Sequence, residues 1–521
     1  MTATTSPSPF SNYAHAVVTA GAQRHPDRVA ITFEGTLDVT YAELDERVNR
    51  RANALNEAGV SAGDRVAVLI GGTLSIAEIY LALAKLGATL ATLNPYWTDD
   101  VTTALVQSTS CSHFVYDASA DAVVESIQAS APEVTCVRLG GPKPGSVDLD
   151  ELTAAGSATA PPLGAHGDDT LALFFTSGTT GLPKAVVHTH ASALATAQQW
   201  LDVPHGPESA FGTGPIIWGV GYFAIAGPAL YAGMRLVLEN DFGPSHFLDV
   251  VPARKITHIS VIPSFFTQLF ATDDHQDVDL SSLAVILLGG EPLLPSLREK
   301  ILQRLPGVAL CSYYGQTEAP YTVVGRQDDG SQDVRASGRA RTGCAVKVVD
   351  ADRKRIVGEV GDVWLTGPHV MRGYHGDPER TAAVLREGWY VGGDIGTLDE
   401  TGTLTVLGRR DDAIRRGTRY VLPSEVEDQA LGFDSVAEAG AVGVPEGAEQ
   451  QKILLAVLPR RAGELDVDTL LKELQARLPD HAVPDAIVSV EALPHAQDSS
   501  GGQGKLLRRE IRERWGDAVS E

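Results

Sequence analysis

The stretch "LFFTSGTTGLPKAVVHTH" at residues 173–190 begins as an apolar run, breaks into threonine, serine and glycine, and then reaches Lys184. Its hydroxyl and backbone N–H groups can converge on an anion. The candidate anion-binding residues are Thr176, Ser177, Gly178, Thr179, Thr180 and Gly181. Lys184 adds a mobile charge that can neutralise a phosphate, although Pro183 before it and Ala185 after it exclude a Walker loop. By itself, the stretch predicts either a phosphate-binding loop or a polar surface turn.

The sequence before this stretch alternates between helix and strand patterns. Residues 40–59 predict an amphipathic helix, because Thr40 and Glu43 have capping-box spacing and apolar residues recur along one face until Gly59. Residues 64–95 then predict two buried strands around a second helix. Because a strand–helix–strand order implies a right-handed parallel crossover, we expect a parallel sheet here.

The chain as a whole divides into a large and a small part. At 521 residues it exceeds the size at which a single core stops growing, so at least two domains are expected. Strand and helix patterns return over residues 235–316, and a glycine-rich strand pattern follows from about Gly338. The predicted fold is therefore α/β. A large N-terminal domain of α/β subdomains plus a β-rich subdomain (residues 1–408) precedes a small α+β C-terminal domain (residues 409–521).

Composition limits the partners and the compartment. Lys and Arg total 42 against 66 Asp and Glu, a formal net charge of −24, and this negative field argues against nucleic acid as a partner. The four cysteines are far apart and show no paired spacing, which favours neither a disulfide framework nor a zinc site. Together with an N-terminus that lacks a signal-peptide pattern, these features predict a cytoplasmic protein.

One uncharged stretch, residues 209–234, is long enough to span a membrane by length alone. Six glycines and two prolines interrupt it, and no excess of Lys or Arg marks a cytoplasmic flank. We therefore expect no membrane span, and the stretch predicts a buried element or an apolar pocket wall.

Five short motifs occur in a fixed order along the chain. After "TSGTTGLPK" come "YGQTE" (residues 314–318), "GGD" (392–394), "GRRDD" (408–412) and "GK" (504–505). In this order they resemble the adenylate-forming superfamily of acyl-CoA synthetases, luciferases and peptide-synthetase adenylation domains, within its acyl-CoA ligase branch. The resemblance implies ATP, Mg²⁺ and coenzyme A as cofactors, a small-molecule carboxylic acid as substrate, and a mobile C-terminal domain.

The resemblance also implies contacts to the phosphates. The loop from Thr176 to Lys184 would hold the β- and γ-phosphates, and Lys184 and Thr317 would act in catalysis, with Thr317 on the α-phosphate. Glu318 would ligate Mg²⁺, a hard cation that suits carboxylate and phosphate oxygens. Taken alone, Glu318 is equally explained as an acidic residue at the start of a helix.

The nucleoside has its own implied contacts. Asp394 would accept both ribose hydroxyls through its two carboxylate oxygens, and Arg409 would lie on the ribose and phosphate side. Taken alone, Asp394 is explained as a turn residue and Arg409 as a surface charge. The adenine would meet close backbone and a tyrosine ring, and the remaining nucleotide-binding residues implied here are Gly289, Gly290, Glu291, Tyr314, Gly315 and Gln316.

Lys505 is the predicted catalytic cation of the first half-reaction. The resemblance implies that a carboxylate attacks the α-phosphorus of ATP and pyrophosphate leaves, so negative charge grows on the surrounding oxygens. A cation aimed there stabilises the transition state, and no general base is needed because the acid is already ionised near neutral pH. Lys505 is preferred to Lys472 because it follows glycine and precedes the basic "LLRRE". Its lead-in, "LPHAQDSSGGQGK", is longer than is usual in the superfamily.

The acyl pocket is predicted in the uncharged stretch. Residues 211–238 contain no Asp or Glu, whereas amino-acid-activating relatives place an acid near here, since an unpaired buried ammonium is costly. This absence favours an acid without an α-amino group. By resemblance, Trp218 in "PIIWGVG" gates the pocket, and Gly219 and Gly221 leave room for a bulky aryl or alicyclic acid. Equally, Trp218 is explained as a residue that fills the core.

The thiol-transfer step is where the sequence departs from the superfamily. Asp411 would be the hinge of the C-terminal domain. In "DDAIRRGTRYVLP" (residues 411–423), Thr418 occupies the position of the glycine that usually lines the thiol tunnel, and Gly417 stands one position early. Either the loop shifts by a residue and CoA ligation survives, or acyl-AMP passes to a partner ligase or carrier protein. A non-catalytic nucleotide-binding relative is the third alternative.

Overall fold

The computed structural model describes the chain apart from residues 1–11, 177–181, 200–202, 215–220, 273, 328–334, 418, 447–449, 462, 464, 498–502 and 520–521. Two large sheets with their helices form the N-terminal part, and a smaller α+β unit follows. This mixed architecture confirms the predicted α/β fold with a large N-terminal and a small C-terminal domain.

The first sheet has eight strands, two of which contain the ends of the 173–190 stretch. In spatial order they are Gly373–Tyr374, Lys184–Thr189, Thr170–Thr176, Thr89–Thr92, Arg65–Leu69, His113–Tyr116, Thr135–Arg138 and Val147–Asp148. Strand Thr170–Thr176 pairs antiparallel with Lys184–Thr189 and parallel with Thr89–Thr92. The Ser/Thr/Gly stretch after Thr176 therefore connects two adjacent strands of this sheet.

Both sequence-predicted elements before this loop are present. Helix Tyr41–Glu57 begins with a complete capping box between Thr40 and Glu43, and its apolar face is buried. Strands Arg65–Leu69 and Thr89–Thr92 are parallel and flank helix Thr73–Leu86. A π-helical turn at His15–Thr19 precedes helix Ala20–Arg24. The other helices in this part of the chain are Asp99–Ser108, Asp121–Ser130, Leu149–Ala155 and His190–Gln199.

The second sheet joins the remaining α/β units to the β-rich segment. In spatial order its strands are Arg355–Ile356, Ala345–Val349, Gly361–Thr366, Trp389–Leu398, Thr403–Arg409, Gly338–Ala340, Ala319–Arg326, Ala309–Gln316, Val285–Gly289, His258–Val261, Ala210–Thr213, Arg235–Leu238, Val29–Phe33 and Leu37–Thr40, with Leu385–Arg386 beside Trp389–Leu398. Strands from Val29–Phe33 to Ala309–Gln316 in this sheet run parallel, whereas the β-rich strands are antiparallel. The β-rich segment is thus continuous with the α/β sheet. The helices of this part are Gly227–Tyr231, Pro244–Arg254, Pro263–Leu269, Pro295–Arg304 and Pro378–Val384.

The C-terminal unit has its own core around a three-stranded sheet. Its strands are Val436–Pro445, Gln451–Pro459 and Ala486–Ser489, its helices are Pro423–Leu431, Val467–Arg477 and Arg508–Trp515, and a hairpin joins Ile414–Arg416 to Arg419–Val421. A second hairpin, which the sequence did not predict, pairs His495–Gln497 with Gln503–Leu506. The long segment before Lys505 therefore begins in one strand of this hairpin and ends in the other, which contains Lys505 itself. Gly501 and Gly502 between them were the available indication of a hairpin.

Contacts between described residues join this unit to the N-terminal part. The Ser296 hydroxyl donates to Asp428 Oδ1 at 2.8 Å, and Arg460 Nη1 donates to the Phe270 carbonyl at 3.0 Å. Strand Gln503–Leu506, which carries Lys505, lies against helix Pro263–Leu269. The C-terminal unit is thereby oriented with Lys505 toward the second sheet.

The uncharged stretch at residues 209–234 is divided among short elements. It contributes strand Ala210–Thr213, a π-helical turn at Tyr222–Ala226 and helix Gly227–Tyr231, most of them buried. Across the part of the chain that the structure describes, no helix has the length and apolar character needed to cross a membrane.

Candidate active site

The loop predicted to hold phosphate is bracketed by two described residues. Thr176 and Lys184 are directly paired where their strands end. Ser177, Gly178, Thr179, Thr180 and Gly181 lie outside the described residues, so their predicted role stays a prediction. The Lys184 ammonium lies 5.7 Å from the ring centroid of Tyr374, a distance at which a cation is attracted to the ring face.

Thr317 and Glu318 form the turn between strands Ala309–Gln316 and Ala319–Arg326. Glu318 is therefore not at a helix start, which removes that alternative. Its side chain is buried, and its Oε1 accepts a hydrogen bond from the Tyr374 hydroxyl at 2.7 Å. The Thr317 carbonyl accepts from His188 Nε2 at 2.8 Å. Both residues of the turn are thus held by side chains from two strands of the first sheet, Lys184–Thr189 and Gly373–Tyr374.

Glu318 fits the chemistry of a magnesium site. A buried carboxylate with one oxygen already oriented is the kind of hard oxygen ligand that Mg²⁺ takes alongside substrate phosphates. Among the described residues, no cluster of three or more His, Cys, Asp or Glu side chains could hold a metal by itself. Glu318 as a magnesium ligand stays a prediction.

Asp394 is the centre of a hydrogen-bonded network. Its Oδ2 accepts from the Tyr314 hydroxyl at 2.7 Å and from Gln316 Nε2 at 2.6 Å, while Arg409 Nε lies 3.2 Å from Oδ1. The Tyr390 hydroxyl donates to Gln316 Oε1 at 2.6 Å and so fixes the orientation of that amide. Asp394 and Arg409 are direct partners on adjacent strands, so neither is an isolated turn or surface residue.

Tyr314 contributes a hydroxyl as well as a ring. Burial, followed by the negative charge of Asp394, raises the pKa of Tyr314 well above its usual range, so the phenol stays a hydrogen-bond donor. Its predicted packing on adenine remains a prediction. Gly315 continues the strand beside it, where a side chain would collide with the backbone of residues 319–321.

The "GGE" turn has little room for side chains. A Cβ at Gly289 would lie 2.2 Å from the Tyr313 ring, and Gly290 has a φ of +82°, in the left-handed region that favours glycine. Glu291 Oε2 accepts from the Ser264 backbone N–H at 3.1 Å. The Tyr313 ring stacks on Tyr321 with centroids 4.0 Å apart. Glycine at positions 289 and 290 therefore allows neighbouring side chains to approach this backbone closely.

Lys505 lies beside this turn. A Cβ built on Gly290 would be 3.5 Å from Lys505 Cε and 3.9 Å from its Nζ. Behind it, Arg508 binds the Glu427 carboxylate and donates to the Ala441 carbonyl at 2.8 Å. Lys472, the alternative lysine, is exposed on helix Val467–Arg477. The structure thus brings Lys505 to the predicted adenine turn.

The predicted acyl pocket is only partly described. Trp218 and Gly219 lie outside the described residues. Gly221 precedes the π-helical turn, and no atom of the described residues lies within 4 Å of a Cβ built on it. Two residues further on, Phe223 packs on Phe174 of the strand that leads to Thr176, with centroids 5.1 Å apart. The segment that follows the predicted pocket residues is therefore packed on the strand that leads to Thr176.

The hinge residue Asp411 and the tunnel residue Gly417 are exposed. Asp411 is in the single turn Arg410–Asp412, where Arg410 also pairs with Asp362 at 2.6 Å. Gly417 has a φ of +64° and occupies the first position of a two-residue hairpin turn, a place that requires positive φ. This geometry explains why glycine stands at 417. Thr418 lies outside the described residues.

Comparison with known proteins assigns the family. The family model described as "AMP-binding enzyme" matches residues 18–375, and the "AMP-binding enzyme C-terminal domain" model matches residues 425–499. The chain is 31% identical over 500 residues to a feruloyl-CoA synthase from an Amycolatopsis species, covering 95% of this chain and 97% of that protein.

Two solved structures show the same arrangement of domains. The amide bond synthetase McbA from Marinactinospora thermotolerans matches with a TM-score of 0.84 at 28% identity, covering 96% of this chain and 98% of that one. ATP-bound MatB from Rhodopseudomonas palustris matches with a TM-score of 0.86 at 25% identity, covering 98% and 99%. The chain belongs to the AMP-binding enzyme family, that is, to the adenylate-forming superfamily and its acyl-CoA ligase branch.

Some residues of this site were not predicted from the sequence. Tyr374, Tyr390 and His188 each bind a predicted site residue. His188 was visible inside the opening stretch, as one of two histidines after Lys184. Tyr374 and Tyr390 stand in the β-rich part, where nothing in the sequence distinguished them from core tyrosines.

Proposed function

We propose that this adenylate-forming enzyme activates a hydrophobic, bulky carboxylic acid, aryl or alicyclic, to its acyl-AMP with release of pyrophosphate, and then transfers the acyl group to CoA. The observation that carries the proposal is the position of Lys505 beside the Gly290 turn, within reach of the predicted nucleotide site.

Each residue has a defined task in the proposed first half-reaction. Lys184 and the loop before it would bind the departing pyrophosphate, and Lys505 would neutralise the charge that grows between the acid and the α-phosphate. Asp394, held by three donors, would orient the ribose. Mg²⁺ on Glu318 would supply charge neutralisation of the phosphates when bound.

The acid class follows from what surrounds the pocket. Residues 211–238 offer no carboxylate to pair a substrate ammonium, and the described wall consists of buried aromatic residues such as Tyr222 and Phe223. An apolar acid without an amino group suits such a wall. The two glycines beside Trp218, at positions 219 and 221, favour a ring over a thin chain because they carry no side chain. The similarity to a feruloyl-CoA synthase supports an aryl substrate.

The test is a panel of acids assayed separately for both half-reactions. Pyrophosphate release in the presence of hydroxylamine reports acyl-AMP formation, and thioester formation reports transfer to CoA. We expect aryl or alicyclic acids to give the fastest pyrophosphate release and their α-amino analogues to give little. The absence of acid-dependent pyrophosphate release across the panel would support the non-catalytic alternative.

A second candidate function is supported by the thiol-transfer loop. The enzyme would form acyl-AMP and hand it to a partner enzyme, an amine or a carrier protein. Gly417 is committed to the hairpin turn by its positive φ, so the position that normally lines the tunnel falls to Thr418. The similarity to an amide bond synthetase supports the same alternative.

Thr418→Gly separates the two candidates. If Thr418 obstructs thiol entry, the variant should transfer acyl groups to CoA at least about tenfold faster than the native enzyme, since a Cβ at a close backbone approach is removed. Acyl-AMP formation should be unchanged and serves as the internal control. Equal and rapid CoA transfer in both proteins would favour the CoA ligase.

A further inference from the structure

The segment Met371–His375 lies between the two halves of the candidate site. The Met371 N–H donates to the Glu318 carbonyl at 2.8 Å. The Arg372 N–H donates to the Val187 carbonyl at 2.9 Å, and the His375 N–H to the Ala185 carbonyl at 2.8 Å. One short backbone segment therefore binds both the turn that carries Glu318 and the strand that begins at Lys184.

The side chain of Tyr374 also connects these two parts, because it contacts the side chains of both Glu318 and Lys184. Its hydroxyl donates to Glu318 Oε1 at 2.7 Å, and its ring lies under the Lys184 ammonium at 5.7 Å. The phenol is the donor in this contact, because a carboxylate has only acceptor oxygens.

Tyr374 is itself firmly placed. Its N–H donates to Thr381 Oγ1 at 2.9 Å, and the Thr381 hydroxyl donates to the Asp377 carbonyl at 2.7 Å. A Cβ at Gly373 would lie 2.7 Å from Thr381 Cγ2, so glycine at 373 permits this close approach. The hydroxyl that meets Glu318 is therefore on braced backbone.

We propose that Tyr374 is a positioning residue that holds the Glu318 carboxylate and the Lys184 ammonium in a fixed relation, so that metal and triphosphate bind together. This inference rests on the proposed nucleotide role of the site. Tyr374 would act through Glu318 and Lys184, because its hydroxyl is occupied by the carboxylate. A residue that hydrogen-bonds to a metal ligand without touching the metal orients that ligand. Losing such a residue typically lowers metal affinity or activity about 10–100-fold.

Two substitutions separate the hydroxyl from the ring. Tyr374→Phe removes only the hydrogen bond to Glu318, whereas Tyr374→Leu also removes the aromatic face beneath Lys184. Tyr116→Phe is the matched control, because Tyr116 is also buried and its hydroxyl is hydrogen-bonded to Ser146 Oγ at 2.6 Å, three strands away from Thr170–Thr176. The native protein and the three variants are titrated with Mn²⁺ in the presence of a non-hydrolysable ATP analogue, and bound Mn²⁺ is followed by its paramagnetic resonance signal.

We expect Tyr374→Phe to weaken Mn²⁺ binding about tenfold while the metal-free analogue binds as in the native protein. Tyr374→Leu should weaken binding of the metal-free analogue as well, and Tyr116→Phe should match the native protein in both. Native Mn²⁺ affinity in Tyr374→Phe, or no Mn²⁺ binding by the native protein, would overturn the inference. A native protein that binds Mn²⁺ and the analogue but releases no pyrophosphate would instead contradict the proposed function. In that case the difference in Mn²⁺ affinity between Tyr374→Phe and the native protein would still decide the role of Tyr374.

Discussion

Lys505→Ala is expected to slow acid-dependent pyrophosphate release by about 10²–10³-fold, the loss typical of removing one preorganised group that stabilises transition-state charge. The reason is the placement of Lys505 beside the Gly290 turn, which is predicted to border the nucleotide. Binding of ATP should change far less than the rate, because the charge to be stabilised grows only as pyrophosphate leaves.

Two controls make this result specific. Lys472→Ala removes an exposed lysine from helix Val467–Arg477 of the same domain and should leave the rate unchanged. Acyl transfer from synthetic acyl-AMP should proceed normally in Lys505→Ala, because that step begins after pyrophosphate has gone. An unchanged rate of adenylation in Lys505→Ala would show that another group supplies the cation.

The regular elements of this fold were predictable because their determinants are local. The capping box at Thr40 and Glu43 and the apolar face behind it predict helix Tyr41–Glu57, and it is present. Strand, helix and strand over residues 64–95 form the expected parallel crossover. Such patterns act within about a dozen neighbouring residues, so the sequence alone contains them.

The connections within the site were not predictable because they join distant parts of the chain. The Tyr374 hydroxyl meets Glu318 across 56 positions, and His188 meets the Thr317 carbonyl across 129 positions. Motif order placed Lys184, Glu318 and Asp394 in one nucleotide site, but it could not show which buried side chains orient them. The hairpin that contains Lys505 was not predicted, because the low-complexity segment before this lysine has no strand periodicity.

The domain boundary remains a prediction. The two family models leave residues 376–424 between them, and the predicted boundary at residues 408–409 falls in this interval. Just after it, Asp411 is exposed in a single helical turn. A hinge needs a backbone that can rotate without losing buried contacts, so the interval is compatible with Asp411 in that role.

Three buried histidines are expected to make the N-terminal domain sensitive to mild acid. Burial lowers the pKa of His188 and of His190 to about 4 and that of His369 to about 3, from an ordinary value of 6.5. His188 is neutral while its Nε2 donates to the Thr317 carbonyl and its Nδ1 contacts Ser192 Oγ at 3.1 Å. His369 is similarly enclosed between Thr322 Oγ1 and Cys344 Sγ.

The direction of the effect follows from which state binds protons. Between pH 6.5 and about 4, histidines of the unfolded chain are protonated while these three stay neutral in the folded protein. The stability that they contribute is complete above pH 6.5 and is lost as the pH falls through this window. Each group costs up to about 1.4 kcal/mol per pH unit, so the three together cost about 4 kcal/mol per unit near pH 5.

Urea unfolding of the N-terminal domain at a series of pH values from 7.5 to 4.5 measures this slope. His369→Gln should lower the slope by up to about 1.4 kcal/mol per pH unit, whatever its effect on stability at pH 7.5, because one proton-binding difference between the folded and unfolded states is gone. His25→Gln, at an exposed position, should leave the slope as it is. A free energy of unfolding that stays constant between pH 6.5 and 5 would show that these histidines are protonated in the folded protein. In that case His188 could not remain the neutral donor that holds the Thr317–Glu318 turn.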